Sequence, residues 1–133
     1  MINKVDMLKT YIENNVSPIL IEDVNIDTIG NIVRINADCE KSMLMGHYEE
    51  TKYLPPVWLD EVVENSKKYK RTVLLIENIN SISVEEQEKF YELLKYRKIN
   101  TFRIPQNCLI VATYSEKNEN LISEKIYTFF SQV

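Results

Sequence analysis

The residues best placed for chemistry close two apolar runs. Glu77 and Asn78 follow Thr72-Val73-Leu74-Leu75-Ile76, and Thr113 and Ser115 follow Cys108-Leu109-Ile110-Val111-Ala112. Apolar runs without alternation read as strands covered on both faces of a parallel sheet. Polar residues at their ends then fall on the carboxyl edge, where open α/β sheets bind ligands. A carboxylate there can hold a cation and a hydroxyl can orient a water, but the Asn78 carboxamide cannot act as a general base. The plainest role for Glu77 is a turn acceptor or a cap on the following helix. Asn78 and Asn80 suit a turn, because Asn tolerates left-handed backbone. Glu22, Asp23 and Asp27 are interrupted by Val24 and Ile26 and lack the glycine spacing of a calcium loop. His47 is the only histidine and has no neighbouring ligand triad, which favours a surface or packing role. Cys39 and Cys108 have no Cys-x-x-Cys spacing, so they read as reduced, packed thiols rather than as a disulfide or zinc framework.

Several elements must position these residues. Val5, Leu8, Tyr11 and Ile12 have helical spacing within residues 3–14. Ser17-Pro18 ends that helix, since the residue before proline is pushed toward extended backbone. Ile19-Leu20-Ile21 then reads as a first core strand. Asn31 to Asn36 alternates enough to be an exposed or edge strand. The nine residues Glu22 to Gly30 between them are fewer than the dozen or so a normal parallel crossover takes. Ala37 to Tyr53 reads as a polar loop or short helical region. Leu54-Pro55-Pro56 opens a helix with an inner face of Trp58, Leu59, Val62, Val63 and Ser66. Ser83 and Glu86 have capping-box spacing ahead of a helix running to about Arg97. A small extended piece at Thr101 to Ile104, a short helix from Leu121 to Ile126, and a final strand near Tyr127 to Phe130 complete the reading.

The 133 residues suit one domain, enough to bury roughly 65–70% of the unfolded surface. No run approaches the ~18 apolar residues of a membrane span. Met1 to Asp6 carries charge where a leader would be apolar, so a cytoplasmic protein is the expectation. The net charge of −4 weighs against nucleic acid as a partner. Lys67, Lys68, Lys70 and Arg71, beside Glu61 and Glu64, read as a solvated helix end.

The order of these parts resembles the AAA+ ATPase core of the MoxR and McrB-like branch. Ile76-Glu77-Asn78-Ile79-Asn80 resembles its Walker B segment, with Glu77 and Asn78 at the acidic positions. Phe90-Tyr91-Glu92-Leu93-Leu94 with Arg97, and Ile104-Pro105-Gln106-Asn107 through Ile110-Val111-Ala112-Thr113, resemble the helix, loop and sensor-1 strand that follow. Thr113 and Ser115 thereby stand at sensor-1-like positions. Leu44-Met45-Gly46-His47-Tyr48 resembles the Leu-Leu-Gly-x-Tyr element, and Leu121 to Ile126 the short helix before the arginine-finger position. The resemblance is collinear from about Ser17 to Val133. It implies an α/β fold with three P-loop-NTPase-like layers and about five strands ordered last, first, sensor-1, Walker B, second. The whole of 1–133 would be one degenerate domain without the C-terminal helical lid.

The departures shape the functional expectation. A Walker A loop needs glycine N–H groups, a Lys and a Ser or Thr around the phosphates. After Ile21 stands Glu22-Asp23-Val24-Asn25-Ile26-Asp27-Thr28-Ile29-Gly30, and no Lys lies between Lys9 and Lys41. Two carboxylates about 4 Å apart repel by roughly 4 kcal/mol at an effective dielectric of about 20, so the segment should reject an anion. The short connection implies that the P-loop and its helix are deleted together, and with them a helix N-terminus for phosphate. Asn78 replaces the catalytic Glu of the resembled family, and no Arg follows Arg103 to serve as a finger. The expectation is a pseudo-ATPase that acts as a protein-interaction module, alone or by self-association, with no catalytic residues, cofactor or metal and with ATP binding disfavoured. The alternative is a residual nucleotide switch or weak ATPase using Glu77, Ser115 and a lysine such as Lys41. Nucleic-acid binding ranks third.

Overall fold

The computed structural model describes residues 3–133; Met1 and Ile2, which open the charged N-terminal stretch, lie outside the described residues. Helix α1 (Lys4–Glu13) is capped by Asn3, whose side chain accepts from the Asp6 N–H at 2.8 Å, and it leads to strand β1 (Ile19–Glu22). A 3-10 turn at Asp27–Ile29 precedes β2 (Ile32–Asn36), helix α2 (Lys41–Met45), and the hairpin of β3 (His47–Glu49) and β4 (Lys52–Leu54). Helix α3 (Val57–Lys68) feeds β5 (Thr72–Glu77). Helices α4 (Val84–Gln87) and α5 (Tyr91–Tyr96) follow, joined by a 3-10 turn. A second hairpin of β6 (Lys98–Ile99) and β7 (Phe102–Arg103) precedes β8 (Cys108–Tyr114), helix α6 (Glu124–Tyr127) and β9 (Ser131–Gln132).

Five strands form one sheet in the order β2-β5-β8-β1-β9, with every pairing parallel. That order is the expected one read from the opposite edge. The fold is therefore α/β, a five-stranded parallel sheet flanked by helices. β5 and β8 are central, and their side chains alternate between two cores. Leu74, Ile76, Ile110 and Ala112 pack with Trp58, Leu59 and Val62 of α3 and with Leu93 and Leu94 of α5. Val73, Leu75, Leu109 and Val111 face the other way, against Leu8 and Ile12 of α1. Burial on both sides is why these strands read as continuous apolar runs.

The second face has one helix, and the chain between β1 and β2 helps to cover it. Residues 23–31 run from the carboxyl end of β1 to the amino end of β2, past β8 and β5. Three strand spacings of about 4.8 Å lie within reach of nine residues at ~3.3 Å each. Ile26 is buried in this core at 3% exposure, and Val24 and Ile29 pack against it. The polar look of the segment conceals an apolar strap standing where a crossover helix would lie.

Two details depart from the sequence reading. The region from Ala37 to Tyr53 holds the short helix α2, one of its two expected forms, and also β3 and most of β4, a hairpin that an entirely exposed β3 did not announce. Gly46 makes its entry, with φ +78° and the position of a side-chain carbon only 2.4 Å from the Leu54 carbonyl. Trp58 ties α3 to this region by donating from Nε1 to the Leu44 carbonyl at 2.8 Å. The final strand lies at Ser131–Gln132 rather than near Tyr127 to Phe130, because Tyr127 still belongs to α6 and Phe129 and Phe130 pack on the core.

Candidate functional site

The ends of β5 and β8 lie side by side, and Glu77, Asn78, Thr113 and Ser115 gather there. Asn78 takes left-handed backbone (φ 57°, ψ 58°) and donates its N–H to Thr113 Oγ1 at 3.0 Å. Thr113 is buried, so its hydroxyl fixes the turn after β5. Ser115 is held through its backbone: its N–H donates to Asn80 Oδ1 at 3.0 Å and its carbonyl accepts from Asn80 Nδ2 at 2.8 Å. The Ser115 hydroxyl accepts from the Lys117 N–H at 3.3 Å, a local turn contact.

A cleft of about 330 Å³ opens beside this edge, lined by Asp23, Asn25, Asp27, Arg34, Glu77 and Thr113 together with apolar neighbours. Asn78 and Ser115 are not among its walls. Arg34 is the one cationic side chain among its lining residues, against Asp23, Asp27 and Glu77. Its guanidinium bonds Asp27 through Nη2 and lies 3.5 Å from Glu77 Oε2 through Nη1. The Glu77 carboxylate thus faces an internal cation rather than the turn N–H groups expected of it. Its backbone carbonyl accepts from the Ala37 N–H at 2.9 Å.

Glu22, the first carboxylate after the apolar run of β1, is also paired. Glu22 accepts from Lys4 Nζ at 2.8 Å, and that hydrogen bond, with the charge of Glu22, raises the Lys4 pKa against a smaller opposing effect of burial. Asp23 forms no ion pair among the described residues. Cations from α1 and β2 thus offset two of the three carboxylates of this acidic loop, Glu22 and Asp27. Three amides of the loop are bonded internally as well. The Asp23 N–H donates to the Tyr114 carbonyl at 2.7 Å, the Asp27 N–H to Asn25 Oδ1 at 3.0 Å, and the Ile29 N–H to the Ile26 carbonyl at 3.0 Å. These amides are turned to internal acceptors, not into a concave anion nest.

Two residues matter here that the sequence reading passed over. Arg34 had a signal: in a strand alternating Val33 and Ile35 inward, Arg34 points to the opposite face, and pairing of β2 with β5 brings it alongside Glu77. Asn80 had none beyond its turn propensity, yet it is 95% buried and organises the segment after β8. Besides Ser115, its amide donates to the Asn120 carbonyl at 3.3 Å and its Oδ1 accepts from Asn118 Nδ2 at 3.0 Å. Elsewhere, His47 lies in the β3–β4 hairpin, 3.6 Å from Glu49, and Lys41 opens α2 without lining the cleft. Among the described residues no three His, Cys, Asp or Glu side chains converge into a metal-holding group. No helix among them is long and apolar enough to cross a membrane. No family model matches the chain, and no curated protein matches it.

Proposed function

We propose that this domain is a non-catalytic, AAA+-like pseudo-ATPase domain that acts as a protein-interaction module. The observation that carries the reading is Arg34, whose guanidinium lies between Asp27 and Glu77 in the cleft at the carboxyl edge. In the resembled family an acidic residue at the position of Glu77 would face magnesium, with phosphates beyond it. Here an arginine of the same chain supplies the positive charge, and its guanidinium has no acidity or open coordination position with which to activate water. The strap of residues 23–31 supports the same reading, since the Asp23, Asp27 and Ile29 amides are bonded internally and Ile26 is committed to the core. Strand order alone would not decide function, because one fold carries many activities.

Phosphate release from Mg·ATP at high protein concentration tests the proposal. The expected trace is flat and identical for the wild-type chain and Glu77→Ala. Turnover that disappears in Glu77→Ala would replace this reading with a weak ATPase.

A further inference from the structure

Two surface patches of opposite sign lie at opposite ends of the sheet. The first follows β8, at the carboxyl edge, where a cleft of about 470 Å³ has apolar walls of Tyr114, Leu121, Ile122 and Tyr127. Glu116, Glu119 and Glu124 line it as well, and no cationic side chain does. None of these glutamates forms an ion pair among the described residues. Lys4 and Lys125 are committed to Glu22 and Glu88, and Lys117 is exposed outside the walls. Leu121 is 79% exposed, so an apolar side chain stands open to water among the charges. The cleft is held in shape from below, since buried Asn80 bonds Ser115, Asn118 and Asn120.

The second patch precedes β5, at the amino edge. Lys67, Lys68, Tyr69 and Lys70 are all exposed. Asn107 fixes this turn by donating from Nδ2 to the carbonyls of Ser66, Tyr69 and Lys70 at 2.9, 3.2 and 3.3 Å. Arg71 ties it to the end of α1 through the Glu13 carbonyl and Asn15 Oδ1. Lys67 faces Glu64 at 3.6 Å, a well-exposed pair of the kind that contributes little. Lysines in the last turn of α3 suit the helix dipole, but Tyr69 and Lys70 lie beyond the helix.

We propose that the two patches are halves of one contact between copies of this chain: the turn 67–70 of one copy seats in the cleft of the next. Tyr69 enters the apolar hollow, and Lys68 and Lys70 meet the three glutamates. The inference rests on the interaction-module reading and names its partner. Charge selects that partner, because a second copy carries the complementary patch. Either patch set against itself about a two-fold axis would oppose like charges. Within one molecule the patches cannot meet: they lie beyond opposite ends of parallel strands, and six residues of β5 alone span about 20 Å. Both patches are fixed before contact by asparagine side chains, which lowers the ordering cost of association. Contact between unlike patches is heterologous and leaves one of each kind free, so it continues into a ring or a filament.

Light scattering and sedimentation velocity on the whole chain test this. The expected mass rises past that of a dimer with concentration and falls toward the monomer as salt is raised from about 0.05 to about 0.5 M. Tyr69→Ala and Glu119→Lys should each weaken association about tenfold or more, as loss of an interface anchor does. Both residues are exposed, so urea midpoints should stay unchanged. Lys68→Glu with Lys70→Glu, and separately Glu116→Lys with Glu119→Lys, should each leave a monomer, and an equimolar mixture of the two double variants should associate again. A wild-type chain that stays monomeric to millimolar concentration would overturn the contact. So would association that survives both double variants, or a mixture that stays monomeric. Each of these results leaves the ATP trace untouched, and ATP turnover leaves the contact untouched, so the two readings fail separately.

Discussion

At the scale of single residues a few polar side chains hold the loops at the carboxyl edge in place. Asn80 is the clearest. Asn80→Ala would strip the Ser115 N–H and carbonyl of their partners at a buried position, which costs about 1–3 kcal/mol. A urea titration should show that loss, with amide exchange quickened at Ser115 before the β8 core. Glu77 belongs to another class: it and Arg34 are both more than a third exposed. Glu77→Gln should therefore shift stability by no more than about 1 kcal/mol. Cys108 offers a pH test. Burial pushes its thiol from 9.0 up to about 12, against a smaller opposing pull from Arg97. Below 9.0 the thiol is protonated in both folded and unfolded chains, so its contribution is fully present. Above that the unfolded chain ionises first, and stability is lost as pH rises toward about 12. Urea midpoints measured across this window should fall less steeply for Cys108→Ala than for the wild-type chain. The sequence placed Cys108 as a packed thiol but could not reveal Asn80 as a hub, because every partner of its side chain lies 35 or more residues away.

Among elements, legibility followed burial. β1, β5 and β8 are buried on both faces, and their unbroken apolar runs showed through the sequence. β3 and β9 are wholly exposed and carry no such pattern, so a hairpin and the last strand escaped or slipped. The strap of residues 23–31 reads as polar because its charges are conspicuous, while its structural residue is the single buried Ile26. Ile26→Ala should cost about 2–5 kcal/mol, as truncation of a buried aliphatic does, comparable with Leu75→Ala in the central strand. Chemical denaturation of the pair checks this; a cost for Ile26→Ala within the noise of a surface change would mean that the strap does not seal the second core.

For the molecule as a whole, doubly buried strands carry a carboxyl edge whose cleft is lined by Arg34 and by the strap, and the proposed reading is that this cleft takes no nucleotide. Isothermal titration with Mg·ATP tests this most directly. A ligand held at about 100 times its Kd would also add ~2.7 kcal/mol of stability, so binding would register in a melt as well. The account predicts no saturable heat up to millimolar nucleotide. Saturable micromolar binding of ATP, weakened by charge reversal within the Asp27, Arg34 and Glu77 cluster, would contradict it.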